Sequence, residues 1–138
     1  MRVVIDTGVL VSSLLRKESI PGAVVGALKG AQFSAIYSTE MLMELIDVLG
    51  RAKFRVKYGI RPKDITGMVN LLRLRGDLVM PTEHVFACRD PKDDKFLAVA
   101  LAGQADYIVS GDADLLVLSP FKGIPVLRPA EFLARLSM

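Results

Sequence analysis

Residues 90–114 read DPKDDKFLAVALAGQADYIVSGDAD, a helix and a strand with acidic residues at both ends. An acid-rich turn opens an apolar helix over residues 92–103, and the run Tyr107-Ile108-Val109 follows it as a buried strand. A second acidic turn, from Ser110 to Asp114, comes directly after that strand. A helix that leads back to a strand without polar alternation is typical of proteins built on a parallel sheet.

The aspartates of this stretch have two interpretations, as helix caps or as ligands. Capping accounts for Asp90, Asp93 and Asp112, because carboxylates at a helix start accept backbone N–H groups and interact favourably with the helix dipole. It explains Asp94 poorly, since Asp94 shares the apolar stripe of the helix with Leu97, and an acid on such a stripe needs a partner. From this stretch alone, both interpretations stay open.

Composition limits the class of protein. The 138 residues are 51% hydrophobic, which suits one domain over residues 1–138 and excludes a disordered chain. No uncharged apolar run approaches the roughly 20 residues that cross a bilayer, and the N-terminus carries Asp6 and lacks a cleavage site, so we expect no membrane segment and no signal peptide. The lone Cys88 fits a reducing cytoplasm.

With one Cys and one His (His84), a Cys/His metal cage is excluded, and any metal would be a hard ion held by oxygen.

Strands and helices alternate along the rest of the chain. Arg2 to Asp6 is apolar up to its final acid, so Asp6 is expected at the carboxyl end of a buried strand, followed by a Thr7-Gly8 turn and a helix from Val9. The remaining pattern predicts strands over 33–37, 78–80 and 124–127, and helices over 22–29, 39–49, 62–75 and from Pro129 onward. This order predicts an α/β fold with a parallel sheet between two helical layers.

Acidic residues from distant positions are expected at one edge of that sheet. The carboxyl ends of parallel strands lie together, and they would carry Asp6, Asp112 and the starts of the helices over 39–49 and 92–103. Glu44 lies beside the main apolar stripe of the 39–49 helix, which suits a solvated glutamate as well as a ligand. A role in helix capping gives no reason for these acids to lie together, whereas a role as ligands of one metal ion does. Neighbouring carboxylates raise each other's pKa values unless a cation is present, and oxygen ligands suit Mg²⁺ or Mn²⁺.

Residues 51–63 contain six basic residues and no acid, interleaved with Phe54 and Tyr58. One interpretation is a solvated connection between helices. The other is a patch that follows a nucleic-acid backbone, with aromatic rings as stacking partners for bases. The candidate RNA-binding residues are Lys53, Arg55, Lys57 and Arg61.

Several motifs, in this order and spacing, resemble the PIN domain family. They are VVIDTGVLV at 3–11, Glu44, DPKDDKFL at 90–97, YIVSGDADLL at 107–116 and PAEFL at 129–133. Within the family, the chain is most similar to the bacterial and archaeal group described as toxin components of toxin–antitoxin systems. The resemblance spans essentially the whole chain. It implies a three-layer α/β/α sandwich with a central parallel sheet of four to five strands.

The resemblance also implies a site and an activity. The family's acidic set falls on Asp6, Glu44, Asp94 and Asp112 as catalytic residues, with Asp114 as a fifth candidate. We expect Asp6, Asp94 and Asp112 to bind Mg²⁺ or Mn²⁺ and Glu44 to act through water, so that the enzyme hydrolyses single-stranded RNA as an endoribonuclease.

Two departures from the family pattern concern the site. Gly8 stands where the first motif usually has Asn, and Ser110 stands where Thr usually precedes Gly-Asp. Gly8 therefore leaves open the alternative that this is a degenerate PIN domain, which binds RNA or a protein partner without cleaving.

Two further classes of protein fit less well. A phosphoacceptor receiver module needs paired acids after its first strand, and a DNA flap nuclease needs insertions for which this chain lacks room.

Assembly is the last expectation. The 39–49 helix carries Met41, Met43 and Val48 outside its main apolar stripe, and surplus apolar surface marks either extra core or an interface. PIN toxins, which the chain resembles, commonly dimerise and bind an antitoxin. We therefore expect a homodimer and a cognate antitoxin protein as partners, together with RNA.

Overall fold

The structure, a computed structural model, describes residues 1–138 and contains five strands and eight α-helices. The strands are β1 (Arg2–Ile5), β2 (Ser34–Tyr37), β3 (Gly76–Leu78), β4 (Tyr107–Val109) and β5 (Val126–Leu127). The helices are α1 (Thr7–Leu15), α2 (Ile20–Lys29), α3 (Thr39–Leu49), α4 (Ala52–Tyr58), α5 (Pro62–Arg75), α6 (Asp94–Ala102), α7 (Ala113–Leu116) and α8 (Pro129–Leu136). One turn of 3-10 helix, Pro91–Asp93, leads into α6.

All five strands are parallel and lie in the order β3-β2-β1-β4-β5. β1 is central, with Val3 opposite Ala35 on one side and Ile5 opposite Val109 on the other. Helical layers on both faces bury Val3, Val4 and Ile5 alike, which explains why β1 shows no polar alternation. The predicted fold class, an α/β/α sandwich with a parallel sheet, is confirmed.

The two helical layers follow from the right-handed connections of a parallel sheet. α1, α2, α3, α5 and α8 pack together on one face. There the ring of Phe132 meets the ring of Phe33 edge-on, with 5.0 Å between the ring centroids. α6 covers the opposite face and contacts β1, β2 and β4. Gly103 at its end is closely packed, because a Cβ there would lie 2.7 Å from the Cδ1 atom of Ile36.

The strand order reverses between β1 and β4. From β1 the chain moves outward to β2 and β3, then crosses back to β4 and continues to β5. In open α/β sheets the crevice beyond the carboxyl ends of strands at such a switch point is the usual ligand site. Asp6 directly follows β1 and Asp112 follows β4, so the topology brings these two acids together.

Several element boundaries differ from the sequence prediction. α1 begins directly at Thr7, with no intervening turn, because Asp6 caps it. The third strand is Gly76–Leu78 rather than 78–80, and the basic segment contains the additional helix α4. The predicted 92–103 helix begins as an α-helix only at Asp94. None of the helices is both long enough and apolar enough to span a membrane.

Candidate active site

Asp6 is the most buried acid of the crevice, with 5% of its surface exposed. Its Oδ1 atom accepts the backbone N–H of Val9 at 2.8 Å and so caps α1, and its Oδ2 atom accepts a short hydrogen bond from the hydroxyl of Ser110. Burial raises the pKa of Asp6, as do the charges of Asp112 and Glu44, while the two hydrogen bonds act in the opposite direction. Capping and a place in the crevice are therefore compatible roles for one carboxylate.

Glu44 reaches the crevice from the middle of α3 and is fixed from two sides. Its Oε1 atom accepts a short hydrogen bond from the hydroxyl of Thr7, at the start of α1. Its Oε2 atom lies 2.6 Å from the Nζ atom of Lys95, in the first turn of α6. Both carboxylate oxygens of Glu44 therefore have protein partners, although 29% of the side chain remains exposed.

Three more carboxylates lie close together at the mouth of the crevice. Asp93, Asp112 and Asp114 each offer an oxygen, and these oxygens lie within 4.8 Å of one another. Burial raises the pKa of Asp93 to about 6, and the neighbouring charge of Asp112 acts in the same direction. Asp112 caps α7 by accepting the N–H of Asp114 at 2.9 Å, and its own N–H donates to the hydroxyl oxygen of Ser110.

Asp6, Glu44, Asp93 and Asp112 line one open cleft of about 370 Å³. Four acids from four separate segments face it, and only two of its lining residues are hydrophobic. The lining residues are Asp6, Thr7, Gly8, Val9, Ser12, Pro21, Glu44, Asp93, Phe96, Gly111, Asp112 and Pro129. The convergence expected from the parallel sheet is thus present for Asp6, Glu44 and Asp112.

Asp94 does not line this cleft, and its expected position there is corrected to Asp93. The Oδ1 atom of Asp94 accepts the N–H groups of Ala87 and Cys88 at 3.1 and 2.8 Å, and the residue lines a different cavity. Burial by itself would raise the pKa of Asp94, but the two amide donors lower it below its ordinary value. Asp93 ends the 3-10 turn and Asp94 begins α6, and of the two only Asp93 lines the cleft.

The comparisons with known proteins agree with this geometry. The family model described as PIN domain matches residues 2–114. The chain belongs to the PIN domain family. An uncharacterised protein of Methanocaldococcus jannaschii is 30% identical over 118 residues, which cover 86% of this chain and 75% of that protein. PIN domains form a nuclease superfamily, often of ribonucleases, and generally depend on divalent metal ions.

The donor set of this PIN domain fits a hard divalent cation. Every candidate ligand is a carboxylate oxygen, and the oxygens of Asp93 and Asp112 lie within reach of one ion. Burial first, and then the charge of Asp112, raises the pKa of Asp93, and a cation bound beside these carboxylates would oppose that shift. Asp6, Asp93 and Asp112 could hold Mg²⁺ or Mn²⁺, and no thiolate or imidazole lines the cleft for a softer ion.

The other predicted residues lie outside the lining of the cleft. Asp114 is engaged by Arg89, whose Nε and Nη2 atoms lie 3.0 to 3.2 Å from its carboxylate oxygens. Lys53, Arg55 and Lys57 are exposed on α4, and Arg61 is exposed just before α5. Phe54 is buried in the core, so it is not free to stack on a base as the basic-patch interpretation supposed.

Two site residues had no assigned role in the sequence analysis. Ser110, fully buried, connects Asp6 to the N–H of Asp112, and its position before Gly-Asp was the available signal. Lys95 had no sequence signal beyond its place in an acid-rich turn, because its partner Glu44 is 51 positions away in the chain.

Proposed function

We propose that this PIN domain, over residues 1–138, is a Mg²⁺- or Mn²⁺-dependent endoribonuclease that hydrolyses single-stranded RNA. The observation that carries the proposal is the cleft into which four separate segments project Asp6, Glu44, Asp93 and Asp112. Helix capping requires only one acid at each helix start and gives no reason for the acids to meet.

Each of these residues has a role that its contacts support. Asp6, Asp93 and Asp112 would hold the ion, with Asp6 kept rigid by the N–H of Val9 and the hydroxyl of Ser110. A bound Mg²⁺ or Mn²⁺ supplies a water of lowered pKa and stabilises negative charge on the phosphate. Glu44, fixed by Thr7 and Lys95, would orient the attacking water and accept its proton.

RNA would be held mainly through its phosphates, with α4 as the basic surface. Changing Arg55 and Lys57 to Ala together would weaken RNA binding and lower the salt slope by about 0.7 for each phosphate that the variant no longer neutralises. Lys17→Ala with Lys29→Ala removes the same charge from exposed positions near α1 and α2 and serves as the control. Equal binding and equal salt slopes for the two double variants would show that α4 is only a solvated helix.

We further propose that the protein acts in the cytoplasm as the toxin of a toxin–antitoxin pair, and that it forms a homodimer. The family resemblance supports the toxin role, and a small adjacent gene for a DNA-binding protein would be its cognate antitoxin. For the dimer, the support on α3 is the exposed Met43. Met43 is 66% exposed on α3, whereas Met41 is in the core and Val48 is half-buried against it, which leaves a smaller apolar surplus than the sequence pattern predicted.

The test is cleavage of an end-labelled single-stranded RNA with Mn²⁺ or with EDTA. We expect internal cuts only with the ion, and a loss of at least about a hundredfold in rate for Asp6→Asn and Asp112→Asn with RNA affinity retained. A wild-type protein that binds RNA in Mn²⁺ but does not cut it would contradict the proposal and favour the degenerate PIN domain.

A further inference from the structure

Lys95 lies behind the acidic cleft rather than in its lining, and it pairs with Glu44, which does line the cleft. Only 9% of its surface is exposed, and its Nζ atom lies 2.6 Å from the Oε2 atom of Glu44. The same Nζ atom donates a short hydrogen bond to the backbone carbonyl of Lys92 and lies 5.0 Å from the ring centroid of Phe96. A buried ammonium group is costly unless it is paired, so these contacts fix its position.

The Lys95–Glu44 pair sets one acid of the cleft apart from the others. Asp93 and Asp112 lie close to each other and share the cleft with Asp6. None of the three forms a salt bridge with Lys or Arg, although the charge of Lys95 acts to lower the pKa of Asp93. Glu44 has both oxygens engaged, by the hydroxyl of Thr7 and by Lys95. An ion placed among the aspartates would therefore meet a Glu44 whose charge Lys95 already balances.

We propose that Lys95 is a positioning residue that holds Glu44 away from the metal ligands, so that Glu44 faces the attacking water instead of the ion. The inference rests on the proposed nuclease function and assigns a division of labour within that site. It has an unusual consequence. Removing the ammonium group releases a carboxylate toward the cleft, so metal affinity rises while turnover falls.

The test compares Lys95→Met with wild type, since Met keeps an unbranched chain of similar volume in the buried position. We expect Mn²⁺ affinity, measured by titration calorimetry or electron paramagnetic resonance, to rise about tenfold, because one positive charge leaves a poorly screened site. In steady-state cleavage at saturating Mn²⁺, kcat falls at least tenfold with KM for RNA unchanged. Lys92→Met is the matched control, with the same charge lost at an exposed position, and leaves both quantities within twofold.

A double-mutant cycle guards against a merely structural role. In a Glu44→Gln background, Lys95→Met has no further effect on kcat, because Lys95 acts through Glu44. This double variant also replaces the buried ion pair with neutral groups, so it retains the fold if the single variant does not. The proposal is overturned if Lys95→Met binds Mn²⁺ no more tightly than wild type, or keeps its kcat, or lowers kcat equally in both backgrounds. A wild type that cuts no RNA would overturn the nuclease instead, and the Mn²⁺ affinities would still decide the role of Lys95.

Discussion

Asp93 and Asp94 are neighbours in the chain with opposite environments. Asp93 lies among other carboxylates, and burial together with Asp112 raises its pKa to about 6. Asp94 accepts two backbone N–H groups from the loop before it, which lower its pKa. Asp93 thus lines the cleft beside Asp112, whereas Asp94 holds the preceding loop, and these contacts support ligation for the first and loop anchoring for the second.

Asparagine substitutions separate the two aspartates. Asp93→Asn should reduce Mn²⁺ affinity and RNA cleavage at least tenfold with little change in stability, since it removes a ligand from a crowded site. Asp94→Asn should retain Mn²⁺ binding but lower the free energy of unfolding by about 1–3 kcal/mol, because it weakens two hydrogen bonds to a charged acceptor. Calorimetric titration and urea unfolding measure the two effects. The reverse pattern would show that Asp94, and not Asp93, is a metal ligand.

The pKa of Asp93 predicts how the apparent metal affinity depends on pH. The folded protein holds this proton more tightly than the unfolded chain, since the pKa rises from 3.8 to about 6. Without metal, this residue therefore makes the fold less stable as pH rises from about 4 to 6. Metal must displace the proton, so Mn²⁺ affinity should rise up to about tenfold per pH unit over that range and level off above it. A flat profile between pH 5 and 7 would show that Asp93 is not a ligand.

Among the secondary-structure elements, those with a clear apolar or capping pattern could be predicted from sequence, and the irregular connections could not. β1, β4 and α5 carry patterns that only one structure satisfies, so their positions were predicted to within about a residue. β3 was placed two residues late because Leu78 and Met80 are apolar yet exposed, the first at the end of this edge strand and the second beyond it. The 3-10 turn at Pro91–Asp93 has no periodicity of its own, and it changed which aspartate enters the cleft.

Alanine substitutions at two glycines, Gly67 in α5 and Gly76 in β3, test how these two elements pack. A Cβ at Gly76 would meet the carbonyl oxygen of Ala35 and lie 2.7 Å from that of Leu72, whereas a Cβ at Gly67 meets nothing within 4 Å. Gly76→Ala should therefore destabilise the protein by roughly 3 kcal/mol, because backbone must move. Gly67→Ala should stabilise it by about 0.5–1 kcal/mol, since alanine favours a helix interior. Urea unfolding of both variants checks the pair, and equal stabilities would contradict the α5–β3 geometry.

For the molecule as a whole, the sheet order accounts for the position of the site. Acids from both ends of the chain meet because β1 and β4 are adjacent at the point where the order reverses. That convergence followed from alternating strands and helices. The ion pair of Glu44 with Lys95 could not be predicted in this way, because it depends on how α3 and α6 approach each other across the edge of the sheet.

The exposed apolar surface of α3 makes a prediction about assembly. Light scattering should give a mass of about twice the 15.0 kDa chain, since Met43 and the 45%-exposed Ile46 leave an apolar surface on α3. Met43→Lys should shift the protein toward monomer, whereas Val117→Lys, at an exposed position after α7, should not. A concentration-independent monomer of wild-type protein would contradict the dimer.

The melting temperature with and without Mn²⁺ is the most direct test of whether the acidic cleft binds a metal ion. A cation that binds only the folded chain stabilises it by mass action, by about 2.7 kcal/mol at a hundred times its dissociation constant. For a chain of this size we expect the melting temperature to rise by roughly 5–10 °C in millimolar Mn²⁺ relative to EDTA. Asp112→Asn should lose most of that rise. An unchanged melting temperature for the wild type at millimolar Mn²⁺ would contradict a metal site formed by Asp6, Asp93 and Asp112.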